Sequence, residues 1–233
     1  MDPASTSAKP ALLPLRVATF NLWFASRLER ALAVAADEPR LAGADILALQ
    51  EADADAAHRI ADRLGLAAVY HAALRHPRTG RDFGPALLSG WPIVEHRRIE
   101  LPHRGLHGRP RIAVAATVEV RGQRVSVYAV HFGTMREMFP WHQAAQARVV
   151  LADAACRPGP AVVAGDLNRW GMGRLFEAQG WQWITRDVGP THRVWSIDHV
   201  FVRGVEAQRA RAGSIRAALS ASDHCAVWAE VEG

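Results

Sequence analysis

One feature constrains this chain more than any other. Short apolar runs of strand length recur, and each stops at a carboxylate, an amide or an imidazole. Asn21 ends Val17–Phe20, Glu51 ends Ile46–Gln50 and His131 ends Val125–Val130. Asp166 and Asn168 follow Ala161–Gly165, Asp198 sits in Ser196-Ile197-Asp198-His199-Val200, and Asp223 with His224 opens the final strand. Apolar runs of about four to eight residues suit strands buried in a sheet. Polar groups at their ends belong in the loops that a rigid sheet holds in place, where sites are commonly built. Taken singly, an Asp or Asn after a strand is a turn former. Six such events with complementary chemistry ask for a common explanation.

The segments between these runs read as helices and hairpins. Arg27–Ala42 carries Leu28, Leu32, Ala35 and Ala36 at helical spacing, and Asp53–Leu64 is a second helix with Gly65 as its stop signal. Ala67–Leu74 and Pro85–Leu88 read as strands. Arg111–Val120 and Gln123–Phe132 form a hairpin around Arg121-Gly122, and Val125, Val127, Ala129 and His131 share one face of its second arm. Trp141–Ala155 and Gly171–Gln179 are helices, and Ile197–Val202 and Ala226–Val231 are the last strands. Strands interleaved with a few helices predict a mixed α/β domain.

The chain of 233 residues fits one domain, 15–233, behind an N-terminal tail, 1–14, that is small and polar and lacks the basic and apolar regions of a secretory leader. It contains no apolar stretch of membrane-spanning length. Two cysteines, Cys156 and Cys225, make no disulfide framework and fit a reducing, cytoplasmic setting. The net charge of +5 comes almost wholly from arginine, Lys9 being the single lysine. Guanidinium forks match phosphate oxygens. A chain rich in alanine and arginine also reflects compositional bias, so charge alone selects no function.

The strand-end set contains carboxylates and no cysteine cluster. That set suits a hard cation, Mg²⁺ or Mn²⁺, and lacks the spacing of a zinc site.

The ordered set Thr19-Phe20-Asn21, Leu49-Gln50-Glu51, Val130-His131-Phe132, Gly165-Asp166-Leu167-Asn168, Ile197-Asp198-His199 and Ser222-Asp223-His224 resembles the endonuclease/exonuclease/phosphatase superfamily. That superfamily includes abasic-site endonucleases, pancreatic-type deoxyribonucleases, inositol polyphosphate phosphatases and neutral sphingomyelinases. The resemblance runs from about Val17 to the C-terminus. It implies a four-layer α/β sandwich, two packed mixed β-sheets flanked by helices, with the site at one end. It implies Glu51 as the principal Mg²⁺ ligand, with Asn21 and Asp223 beside it. Asp166 would orient or deprotonate the attacking water, and Asn168 would hold that water or a phosphate oxygen. His224 would donate to a non-bridging oxygen with Asp198 behind it, and His131 would be a second donor on the phosphate.

Two departures stand out. Many relatives carry Gly-Asn-Ala-Ile-Leu-Ser where this chain has Gly84-Pro85-Ala86-Leu87-Leu88-Ser89, so the amide is replaced by a ring without a donor. Some relatives place an acidic ligand where Trp23 stands. Asp82 is a candidate carboxylate partner for His131. Arg97–Arg111, with Arg109, Arg111, His103 and His107, reads as a basic loop that tracks a phosphate backbone or is simply solvated. Gly133–Trp141, with Met135, Met138, Phe139 and Trp141, meets a base, a lipid or a partner, or packs the following helix. Trp170 lies just after Asn168.

The expected activity is metal-dependent phosphate-ester hydrolysis, with a nuclease or phosphodiesterase acting as a monomer on DNA or RNA as the leading reading. A phosphatase or phospholipase-C-like enzyme on inositol phosphate or sphingolipid is the alternative. A catalytically inactive binding protein with the same fold is the third.

Overall fold

The computed structural model describes residues 14–76, 80–105, 108–205 and 209–232. The expected tail, except Pro14, and His107 of the basic loop lie outside the described residues. In chain order the strands are β1 Leu15–Asn21, β2 Ile46–Ala52, β3 Ala67–Tyr70, β4 Leu74–Arg75, β5 Asp82–Ser89, β6 Ile93–Leu101, β7 Arg111–Val120, β8 Gln123–His131, β9 Ala161–Asp166, β10 Gln182–Trp183, β11 Asp198–Arg203, β12 Arg209–Ile215 and β13 Ala226–Glu232. The helices are α1 Leu28–Asp37, α2 Pro39–Ala42, α3 Ala54–Leu64, α4 Pro140–Ala155 and α5 Gly173–Glu177.

These strands build two sheets. One runs β12-β13-β1-β2-β5-β3, with β4 also on β5; the other runs β10-β11-β9-β8-β7-β6. Each has one parallel pair at its heart, β1 with β2 and β8 with β9, while the flanking pairs are antiparallel. The alternation of apolar residues sets the layers. Val17, Ile46, Ala48 and Leu87 of the first sheet meet Val114, Val125, Val127, Val162 and Val200 of the second in a buried core. The opposite face of the first sheet packs under Ala31, Ala35, Ala57 and Ile60 of α1 and α3. The opposite face of the second packs under Ala147, Val150 and Leu151 of α4 and Phe176 of α5. The result is the four-layer sandwich that the family resemblance implied. Each fully buried Val, Leu, Ile or Phe contributes about 1.5–3 kcal/mol, so the inter-sheet layer holds the two sheets face to face.

Local signals explain most element ends. Asp53 caps α3 by accepting the Ala56 N–H at 2.8 Å, and Gly65 closes it in the left-handed region at φ 68°. The single helix expected over Arg27–Ala42 is two, because Pro39 forces Glu38 into an extended conformation and begins α2 at its first position. The strand expected over Ala67–Leu74 breaks into β3 and β4. Arg97–Leu101 is not loop but part of β6, paired with β7 in a register that sets Arg97 opposite Ala115 and Leu101 opposite Arg111. No helix among the described residues is long and apolar enough to cross a membrane.

Candidate active site at one end of the sandwich

The C-terminal ends of β1, β2, β8 and β9 and the N-terminal ends of β11 and β13 share one edge of the sandwich, so topology gathers the strand-end groups. His131 and Asp166 face each other directly in the parallel β8–β9 register. Gly165 makes that closeness possible: its φ is 151°, and a Cβ there would lie 2.0 Å from the Val130 carbonyl oxygen. The motif Gly-Asp-x-Asn therefore needs its glycine for backbone approach.

Glu51 reaches the site through a register shift between Leu49 and Ala52 opposite β5, with its own φ at 53°. Such a bulge re-aims a side chain out of the regular alternation. The carboxylate accepts the Phe24 N–H at 3.1 Å, and its nearest imidazole nitrogen, His131 Nε2, stands 3.9 Å away. Phe24 belongs to a turn in which Trp23, Phe24 and Ala25 all have φ between 48° and 55°. Consecutive non-glycine residues in this region are strained, and such strain concentrates at functional sites.

Asp166 is the best-held carboxylate, with 1 % exposure. Its Oδ1 accepts the Asn168 N–H at 2.7 Å, and its Oδ2 accepts Asn21 Nδ2 at 3.1 Å and Asn168 Nδ2 at 3.2 Å. His131 Nε2 and His224 Nε2 stand 3.6 and 3.9 Å from the same oxygen. Asn168 also donates to the Phe132 carbonyl at 3.0 Å, so its amide nitrogen is committed to holding this turn. Asn21 Oδ1 accepts the Trp23 N–H at 3.0 Å.

His224 Nδ1 meets Asp198 Oδ2 at 2.8 Å, and Thr191 Oγ1 donates to that same oxygen at 2.6 Å. Asp223 is half-exposed, with one oxygen 4.0 Å from His224 Nε2 and the other 3.5 Å from His192 Nε2. The His192 ring stacks on His224 at 4.5 Å and 19°.

Burial and charge set the protonation of these groups. Burial pushes Glu51 up to about 7, against the lowering pull of Arg111 and His224. Burial, then the Asp198 charge, pushes Asp166 up to about 7. Burial would drive His224 neutral, but Asp198, Asp166 and Asp223 outweigh it and lift the imidazole to about 10. Burial and the charges of Arg111 and His224 take His131 well below the usual imidazole range, so it is neutral.

The structure does not bring Asp82 to His131. Asp82 is exposed at the start of β5, opposite Arg75. Glu51 and Asp166 stand 3.9 and 3.6 Å from His131 Nε2 and Arg111 Nη1 lies 3.1 Å from it, with the charge of His224 also acting on the ring. Arg111 is buried, and Arg109 and Arg111 share Glu137 at 3.1 and 3.0 Å. The basic stretch is largely neutralised: Arg97 pairs with Asp153 and Arg98 with Glu100. Met138 is buried, while Phe139, Trp141 and Trp170 are exposed. Sequence reasoning did not single out His192 or Thr191; nothing but proximity to Asp198 in the chain marked them.

A cation fits this end of the molecule. Glu51 and Asp166 are acids whose ionisation burial opposes, and a nearby positive ion would offset that cost. His192, Asp223 and His224 form one group whose ligating atoms lie within 4.8 Å of one another, and Asp166, Asp198 and His224 form another.

A sequence model of the endonuclease/exonuclease/phosphatase family matches residues 18–224, most of the chain. The chain belongs to that family. No curated protein sequence matches it. The fold is similar to that of the family protein from Beutenbergia cavernae DSM 12333, with TM-score 0.75 and 23% identity over 94% of this chain and 72% of that one. It is also similar to sphingomyelinase C from Streptomyces griseocarneus, with TM-score 0.74 and 19% identity over 94% and 99% of the two chains. Truncated TDP2 from Caenorhabditis elegans gives TM-score 0.72 and 18% identity over 96% and 99%. At these identities the likeness establishes the phosphoesterase fold of this family member and leaves its substrate open.

Proposed function

We propose that this family member hydrolyses phosphodiesters with Mg²⁺, for which Mn²⁺ substitutes, and that a nucleic-acid strand is its substrate. The observation that carries the reading is the buried Asp166 carboxylate, held by Asn21 and Asn168 between two imidazoles of opposite protonation. Asp166 accepts the proton of the attacking water. The cationic His224, charged by Asp198, donates through Nε2 to a non-bridging phosphate oxygen as charge develops there. Neutral His131 and the guanidinium of Arg111 flank the phosphate from the other side. Glu51, with Asn21 and Asp223 beside it, would hold the divalent ion, which when bound neutralises phosphate oxygens and the leaving oxygen. Exposed Trp170 and Trp195 with Arg193 lie next to Asn168 and His192 in the chain, and such aromatic and guanidinium surfaces suit a single strand. We read the active form as a cytoplasmic monomer, in keeping with Cys156 and Cys225, both of which are free.

The second reading is a phospholipase-C-like or phosphatase activity on a lipid or inositol phosphate. Phe139 and Trp141, exposed and stacked at 4.6 Å at the start of α4, favour it. A panel of single-stranded DNA, plasmid, abasic duplex, RNA, inositol phosphates and sphingomyelin, each with Mg²⁺, Mn²⁺ or EDTA, separates the two. Metal-dependent cleavage of a nucleic acid is the expected result. Turnover confined to sphingomyelin or inositol phosphates would overturn the nucleic-acid reading in favour of the second.

A further inference from the structure

We infer that the leaving group of the substrate carries an aromatic ring, seated in a pocket bounded by Phe24, Leu74, His76, Phe83, Pro85 and Arg111. The inference rests on the phosphodiesterase reading above and narrows its substrate class.

The direction of reaction places the leaving group. The pocket is lined by Glu51 and His131 but not by Asp166, Asn168 or His224. In-line displacement puts the attacking and leaving oxygens on opposite sides of phosphorus. The water oxygen forms its bond to phosphorus from the Asp166 side, and Asp166 takes the water proton. The ester P–O bond breaks on the Glu51–His131 side, its electron pair stays on the leaving oxygen, and that oxygen ends protonated from solvent. The group attached to it lies in the pocket.

The walls select a ring. Phe24, His76 and Phe83 meet one another at 5.1–5.9 Å in tilted and edge-on arrangements. Aromatic groups at such angles offer both edges and faces to a further ring. Pro85 contributes no backbone donor and no polar side-chain atom, so a polyhydroxylated leaving group finds little to bond on that wall. Arg111 also lines the pocket, with its guanidinium held in place by Glu137 at 3.0 Å. Phe24 ties the pocket to the reacting centre: its ring lines the wall while its N–H holds Glu51.

The test uses phenylphosphonate, cyclohexylphosphonate and methylphosphonate, which share one charged head, with binding to the full chain measured by calorimetry in Mg²⁺. The wild type should bind phenylphosphonate about tenfold more tightly than methylphosphonate. Phe24→Ala and Leu74→Ala should each reduce that ratio to within about threefold. A ratio near one in the wild type, or ratios untouched in both variants, overturns the pocket. Cyclohexylphosphonate binding as tightly as the phenyl compound overturns the aromatic assignment. Turnover of bis-p-nitrophenyl phosphate is measured alongside. Turnover with a ratio near one sinks this inference alone. An intact ratio with no turnover sinks the reaction reading instead, and the leaving-group assignment with it.

Discussion

Replacing Asp198 with Asn should convert a flat alkaline rate profile into a falling one. The Asp198 carboxylate lies 2.8 Å from His224 Nδ1 and is the leading favourable influence lifting that imidazole to about 10. Asparagine keeps the shape and removes the charge. An imidazole returned to its ordinary value of about 6.5 is protonated to roughly 3 % at pH 8, compared with about 99 % in the wild type. If the charged imidazole is the donor to the phosphate oxygen, kcat/KM at pH 8 falls roughly 30-fold. At pH 6 the same imidazole is about three-quarters protonated, and the deficit shrinks to less than about twofold. The assay is kcat/KM on bis-p-nitrophenyl phosphate from pH 5.5 to 9 in saturating Mg²⁺. Losing the Asp198 charge also lowers the Asp166 carboxyl, which moves the variant's acid limb to lower pH and shrinks the deficit at pH 6 further, while at pH 8 Asp166 is mostly ionised in both proteins. A deficit equal at pH 6 and pH 8 would show that Asp198 merely orients the ring, and would refute the electrostatic argument.

Stability should depend on pH in a defined direction. Glu51 and Asp166, raised to about 7, retain protons in the folded chain that the unfolded chain releases above about 4, so folding loses stability as pH climbs through that window. His224, raised to about 10, contributes stability that is complete below about 6.5 and is lost as pH rises through 10. The buried, neutral imidazoles of His131 and His199 act in the opposite direction as pH rises to about 6.5, so the test is a difference: in EDTA the Tm of Glu51→Gln relative to wild type should rise from pH 5 to pH 8, and a constant difference contradicts the assignment. Added Mg²⁺ should raise Tm more at pH 8 than at pH 5, and Glu51→Gln should remove most of that increment; an undiminished increment in the variant would exclude Glu51 as a ligand. Gly165→Ala places a Cβ 2.0 Å from the Val130 oxygen and should cost more than about 2 kcal/mol in urea unfolding, whereas a loss under 0.5 kcal/mol would disprove the close-approach argument.

The sequence is most legible where strands are buried on both sides. The ends of β1, β2, β7, β8, β9 and β13 were readable to within about two residues because apolar runs flanked by polar groups have few other uses. The strands that escaped the pattern are β6, β10 and β12, all of them sheet edges. Ile93-Val94-Glu95-His96-Arg97-Arg98 and Arg209-Ala210-Arg211 carry charge along the exposed edge, which guards against pairing with other chains and erases the apolar signature. The broken helix at Pro39 was visible in principle, since a proline disfavours helix in the residue before it.

The candidate site divides in the same way. Strand-end residues announce themselves because their strands do, and the fold brings Asn21, Glu51, His131, Asp166, Asn168, Asp198 and His224 to one edge. Arg111 begins a strand and reaches His131 only through the β7–β8 pairing; His192 arrives on a loop held by its bridge to Trp195. The aromatic wall of Phe24, His76 and Phe83 comes from separate segments whose meeting depends on the strained turn after β1. No local pattern encodes such meetings. The expected Asp82–His131 pair failed because β5 sets Asp82 on the exposed side of the sheet, against Arg75.

The central claim is that Asp166 and a divalent ion together hydrolyse a phosphodiester at this edge. The most direct measurement is the turnover of bis-p-nitrophenyl phosphate by wild type and Asp166→Ala, in Mg²⁺ and in EDTA, with circular dichroism to confirm that both are folded. The account predicts turnover by the wild type in Mg²⁺, its loss in EDTA, and a fall of at least about 10²-fold in the folded variant. Equal turnover by the two proteins, or turnover undiminished by EDTA, would contradict it.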